Sequence, residues 1–170
     1  MRQMSVPIFI SAAITLLFCP PSNAQQATSP FDTRGFLDAC AGFVPDVDFA
    51  IPMDGQCVNQ ARKMCSLAFG MSENEVCLKD VTAWLQDETH RIWQSLPEDA
   101  RGKYDEPPTG QQMAEDGFGP DLGQSLPDCE DVEIPDVSAG VVCDYFQAVP
   151  TWHAVRIMQR SASAIEPDKE

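Results

Sequence analysis

Histidine, tyrosine and positive charge are scarce in this sequence: two His, two Tyr, and 11 Lys and Arg against 26 Asp and Glu. A net charge of −15 disfavours nucleic acid and anionic lipid as partners and attracts cationic ones. With two histidines and no C-x-x-C pair, the cysteines lack the ligand spacing of a zinc site. Patterns for a phosphate cradle, a dinucleotide turn, a G-x-S-x-G elbow or an H-E-x-x-H helix are missing. Asp116 to Asp128 lacks the alternating ligands of a calcium loop. These gaps argue against an enzyme, and no catalytic residue, metal or cofactor is expected. His90, near Glu88 and Arg91, and His153, ahead of Arg156, read as surface or packing residues. A hydrolase reading would require that replacing one of them abolish turnover.

Long apolar runs are also missing. The longest, Val6 to Phe18, is shorter than the roughly 20 residues that span a bilayer. It follows Arg2 and precedes Pro20, Pro21 and Ser22-Asn23-Ala24, the anatomy of a secretory leader cleaved after Ala24. Cys19 suggests a lipoprotein alternative, but Phe18 stands where such signals carry a small residue. The expectation is a periplasmic or secreted protein whose residues 25–170 form one domain with no membrane span, one charge unit more negative once Arg2 is gone.

Six cysteines then remain: Cys40, Cys57, Cys65, Cys77, Cys129 and Cys143. An even number behind a leader reads as three disulfides, with fifteen pairings open. One hypothesis pairs neighbours. Cys129–Cys143 closes a local loop, Cys65–Cys77 staples a hairpin across its turn, and Cys40–Cys57 pins the first helix. A Cys57–Cys77 link would overturn it.

Three-to-four spacing of Phe36, Leu37, Ala39, Cys40 and Phe43 predicts a helix over 33–43. Val47 to Met53 reads as an irregular connector. Asp54 is the expected N-cap of a helix from Gly55 to Phe69, closed by Gly70. Ser72-Glu73-Asn74-Glu75 spells a capping box ahead of a long helix of about 73–96. Its stripe is Cys77, Val81, Trp84, Leu85, Ile92, Trp93 and Leu96, and Pro97 stops it. The short joint between these helices predicts an antiparallel hairpin over 55–96. Residues 97–140 are rich in acid, Pro and Gly and read as a long acidic irregular connection, with a brief helix near Gln111 to Glu115. A last helix is expected from about Pro150 to Ser163, because proline suits a first turn. Trp84, Trp93 and Trp152 sit on apolar stripes, so core packing is preferred over an aromatic binding surface. The fold class is therefore all-α: a disulfide-stapled helical hairpin with flanking helices.

The run Cys57 to Cys65 is C-x7-C within a helix, followed by Cys77, Trp84, Trp93 and Ser95-Leu96. Downstream come Cys129, Cys143 and Thr151-Trp152-His153-Ala154-Val155-Arg156. This resembles exported proteins with the lysozyme-inhibitor LprI-like N-terminal domain, whose second helix carries C…W-x(4)-L-N-x-x-Y. Trp84 falls on the family tryptophan and Trp93 on its tyrosine. Thr89-His90 replaces the family's Leu-Asn, and its later Q-x-x-W-x-x-[YF]-R segment has no counterpart. The resemblance implies an all-helical periplasmic fold and inhibition of lysozyme. A cationic protein partner, lysozyme among them, is the resulting expectation. Asp116, Asp121, Asp128, Glu130, Asp131 and Glu133 are the candidate contact residues. The alternative is a structural or assembly partner of the cell envelope without inhibitory activity.

Overall fold

Leu37 is fully buried on a ten-residue helix, α1 (Thr33–Gly42), whose first turn is capped by the Asp32 carboxylate accepting from Gly35 N–H at 2.9 Å. The computed structural model describes residues 31–47, 50–68, 74–117 and 129–165. The expected leader and its expected cleavage point after Ala24, together with Cys19, Gly70, Ser72, Asp121 and Asp128, lie outside the described residues. Among the described residues every regular element is helical: α2 (Ala50–Ala68), α3 (Asn74–Ser95), α4 (Glu98–Arg101), α5 (Gly110–Glu115), a 3-10 turn (Cys129–Asp131) and α6 (Ala139–Ile165).

The expected stripe on α3 is the centre of the core. Cys77, Val81, Trp84, Leu85, Ile92, Trp93 and Leu96 are all buried. This face packs most extensively against α6, where Trp152 meets Trp84 edge-on with ring centroids 5.4 Å apart. The three tryptophans are core residues. Trp84 uses its polar handle as well, with Nε1 donating to Asp38 Oδ1 of α1 at 2.7 Å.

All three proposed disulfides are present. Cys40–Cys57 ties α1 to α2, Cys65–Cys77 ties α2 to α3, and Cys129–Cys143 ties the 3-10 turn to α6. Each closes a loop of 12 to 17 residues, a size for which crosslinking typically contributes about 2–4 kcal/mol.

Two helix starts lie earlier in the chain than the sequence suggested. Helix α2 begins at Ala50, so Ile51-Pro52-Met53 is its first turn instead of a connector. The amides there have no intrahelical acceptor, so Pro52 loses nothing by lacking one. Asp54 is consequently inside the helix and caps nothing. Helix α6 begins at Ala139 and runs through Pro150. An internal proline removes a hydrogen bond and costs about 3 kcal/mol. Packing offsets it from both sides: Val141, Val142, Tyr145 and Ala148 are buried before it, and Trp152, Ala154, Val155 and Met158 after it.

The first described part of the acidic connection, residues 97–117, carries local structure of its own. Arg101 donates to Leu96 O (3.1 Å) and Gln94 O (3.2 Å), closing the end of α3, and lies over the Trp93 ring. The brief helix is α5, and it carries a reciprocal capping box. Gln112 N–H donates to Thr109 Oγ1 at 3.2 Å, and Thr109 N–H donates to Gln112 Oε1 at 2.8 Å. The box expected at Ser72 and Glu75 falls partly outside the described residues; the Glu75 side chain accepts from Lys79 and from Ser138 N–H. Met113 of α5 is fully buried, and Gly110 lies so close to Pro150 that a Cβ there would sit 2.4 Å from the proline Cβ.

Candidate functional site: an acidic strap and a buried ion cluster

Residues 129–138 form a strap over the end of the helical body. The Cys129–Cys143 disulfide holds one end. At the other, Asn74 Nδ2 donates to Pro135 O (3.2 Å) and Ser138 N–H donates to Glu75 Oε2 (2.9 Å). Between them Ile134 and Val137 pack against the core. A turn closes where Val137 N–H meets Ile134 O at 3.1 Å, with Pro135 first and Asp136 second at φ 58°. Proline presets the first position of such a turn, and aspartate tolerates the left-handed second.

Val132, Ile134 and Val137 are half-buried, whereas Glu130, Asp131, Glu133 and Asp136 are exposed. Of the six candidate contact residues, the structure brings Glu130, Asp131 and Glu133 together on this strap. Asp116 is elsewhere, at the end of α5, engaged by Lys103 and by the Tyr104 hydroxyl. The hydrogen bond from Lys103, then that from Tyr104, holds its carboxyl below the usual range. Burial first, and the Asp116 contact second, pushes the Tyr104 phenol up to about 12. Asp116 is thus already committed within the chain and does not belong with the strap. Asp121 and Asp128 fall outside the described residues.

Glu75 anchors the strap as an ionised group. Its carboxyl is lowered to about 2 by the Lys79 hydrogen bond first and the Ser138 backbone bond next. A carboxylate that accepts such bonds stays charged far into the acid range.

The sequence reading missed a second feature. Asp54 has a side chain with no solvent exposure, and two arginines of α6 converge on it. Arg156 binds it with both prongs, Nε to Oδ2 and Nη2 to Oδ1, each at 3.1 Å. Arg160 Nη2 reaches Oδ2 at 3.0 Å, while its Nη1 donates to Pro45 O and Asp46 Oδ1, both at 3.2 Å. Beside them His153 lies tilted against Trp152, and its Nε2 has no hydrogen-bond partner. Burial above all, with Arg156 adding to it and Asp54 opposing, lowers the His153 imidazole to about 4. At neutral pH it is uncharged. The cluster locks α2 to α6 and to the loop after α1. A signal was available in the sequence: Arg156 and Arg160 are four apart, on one helical face.

His90 is exposed and meets Gln94 through Nε2 at 2.6 Å. Among the described residues, neither histidine is hydrogen-bonded to a hydroxyl or thiol, and no group of three or more His, Cys, Asp or Glu could hold a metal ion. No described helix is long and apolar enough to cross a membrane.

The helical body also has two adjoining cavities that share Arg62. One, of about 390 Å³, lies between α2, α6 and the strap and is walled by Val58, Val132, Phe146 and Val149. The other, of about 330 Å³, opens between Asn74, Leu78, Glu133 and Pro135. What this arrangement offers chemically is recognition: charge displayed on a pinned strap, beside a half-open apolar cleft. Searches against family models, curated proteins and solved structures return no match to this chain.

Proposed function

We propose that the chain is an exported binding protein of the lysozyme-inhibitor type, meeting a cationic protein through its acidic strap. The observation carrying this reading is the strap itself. Carboxylates at 130, 131, 133 and 136 are exposed on a short segment fixed by a disulfide, by two hydrogen bonds and by inward-facing Ile134 and Val137. Fixing charged groups before encounter removes part of the ordering cost of binding. The field of a strongly negative chain steers a cationic partner and raises its on-rate by about 10- to 1,000-fold, a gain that salt screens away.

Lysozymes fit that partner class, being in many cases strongly basic enzymes that cleave peptidoglycan with a pair of carboxyl groups. The resemblance carried by Cys57, Cys65, Cys77, Trp84 and Trp93 points the same way. The test is lysozyme turnover with the purified, oxidised chain across a salt series. Inhibition at low salt that fades as salt rises supports the proposal. Full lysozyme activity at low salt removes it. A stable complex captured from envelope extract without any effect on lysozyme would favour the assembly-partner reading instead.

A further inference from the structure

Arg62 stands apart from the other described arginines. Arg34, Arg91, Arg156 and Arg160 each form an ion pair, and Arg101 is spent on backbone carbonyls. Arg62 is half-buried in a chain with more than twice as many acids as bases, yet among the described residues its one hydrogen bond is to Asn59 Oδ1 at 3.4 Å. Glu133 lines the neighbouring cavity and forms no ion pair with it. A half-buried arginine ordinarily meets a planar anion with its fork of donors. This one faces a cleft.

The cleft has two ends of different chemistry. Arg62, Asn59 and Tyr145 contribute polar groups, while Val58, Val132, Phe146 and Val149 supply an apolar wall and Gly55 leaves room beside them. The Tyr145 phenol, raised to about 12 by burial against the smaller opposing pull of Arg62, keeps its proton and can donate. At about 390 Å³ the space falls in the range of small-molecule sites, which combine mostly apolar walls with a few placed polar groups.

The geometry points to a binding site for a small apolar molecule that ends in a carboxylate, with the carboxylate on Arg62 and the apolar body along Val58, Val132, Phe146 and Val149. The overall negative field opposes any anion, so such a ligand is held by local contacts and not by steering. Two sources share this chemistry: a free aliphatic acid, and the C-terminal residue of a short apolar peptide.

Calorimetric titration of the full, oxidised protein with octanoate and with acetyl-leucyl-leucine, each against its own amide, tests the site and separates the sources. At least one acid is expected to bind tenfold or more tightly than its amide, shifting the methyl resonances of Val58, Val132 and Val149. Arg62→Gln is expected to bring acid and amide to equal affinity. The acid–amide comparison on the unaltered protein stands even if that variant folds poorly. Equal binding of acid and amide, binding that leaves those methyls unmoved, or no binding by either acid overturns the proposal. Lysozyme turnover is a separate readout, so this site and the strap succeed or fail independently.

Discussion

The helical body of α2, α3 and α6 and the described parts of the connection, residues 97–117 and 129–138, touch each other but are held by different physics. The body is an apolar interior in which many side chains share the work. The connecting stretch hangs on a few discrete pins: Arg101 on the end of α3, the Thr109–Gln112 capping box, Gly110 against Pro150, Met113, one disulfide, and Asn74 with Glu75. Area-driven stability is distributed and tolerant. Pinned stability is local, and each pin can be removed by itself.

The largest expected effect sits in the body, at Asp54, its one buried carboxylate among the described residues. Asp54→Asn leaves Arg156 and Arg160, with side chains only 14–15% exposed, facing a neutral amide. Breaking a buried pair from one side typically costs about 3–5 kcal/mol. Urea denaturation should show a loss of that order with an unchanged m-value. A loss below about 1 kcal/mol would mean that water reaches the cluster and that the body rests on apolar packing alone.

Disulfide removal compares the regions directly, because the loops closed by Cys65–Cys77 and Cys129–Cys143 span 12 and 14 residues and so have nearly equal entropic worth. Cys65 and Cys77 are fully buried and their replacement by alanine also thins the core. The Cys65→Ala/Cys77→Ala double variant is expected to lose about 3–5 kcal/mol. Cys129→Ala/Cys143→Ala should lose about 2–3 kcal/mol and release the strap to faster amide exchange. Equal losses would erase the distinction drawn between the two regions.

Acid should separate them by pH window. His153 has a folded value of about 4 against 6.5 in the unfolded chain, so the unfolded state takes up its proton first. Stability is therefore intact above pH 6.5 and falls as pH drops toward 4, by about 3 kcal/mol at most. Glu75, lowered to about 2 from 4.5, contributes above pH 4.5 and loses its hold on the strap as pH falls toward 2. His153→Phe should flatten the body's loss between pH 6.5 and 4 while leaving the strap's later release in place. A slope unchanged in that variant would assign the acid response to other groups.

The same contrast explains what could be read from the residues beforehand. Periodicity along Cys77 to Leu96 is set by the burial it serves, so α3 and its stripe were visible to within a residue or two. Neighbour pairing of the cysteines followed because each pair flanks a short joint. Asp54 and Pro150 misled for one shared reason. Aspartate before Gly55 and proline before Thr151 are good helix-start residues locally, and only tertiary partners (two arginines 102 and 106 positions away, and core on both sides of the proline) decide otherwise. In the connection, acid and proline content described the solvent side well, but buried Met113 and inward-facing Ile134 and Val137 are too few to form a pattern. The strap's display of Glu130, Asp131 and Glu133 was legible as charge. Its fixation by Asn74 and Glu75, more than 50 residues away, was not.

The smallest effect on stability should come from the strap's surface, and there it parts company with function. Asp131 and Glu133 are exposed and form no ion pair among the described residues, so Asp131→Lys/Glu133→Lys should shift stability by no more than about 0.5 kcal/mol per site. If the strap meets a cationic protein, the same double variant should slow association with lysozyme at low salt by tenfold or more, with little change in dissociation. A double variant that folds normally and associates at the unaltered rate would move the contact surface off the strap. It would leave the pins at Cys129, Asn74 and Glu75 as purely structural. A variant that loses both stability and association would instead show that the carboxylates themselves hold the segment in place, and the division between a shared interior and separable pins would have to be redrawn at residue 131.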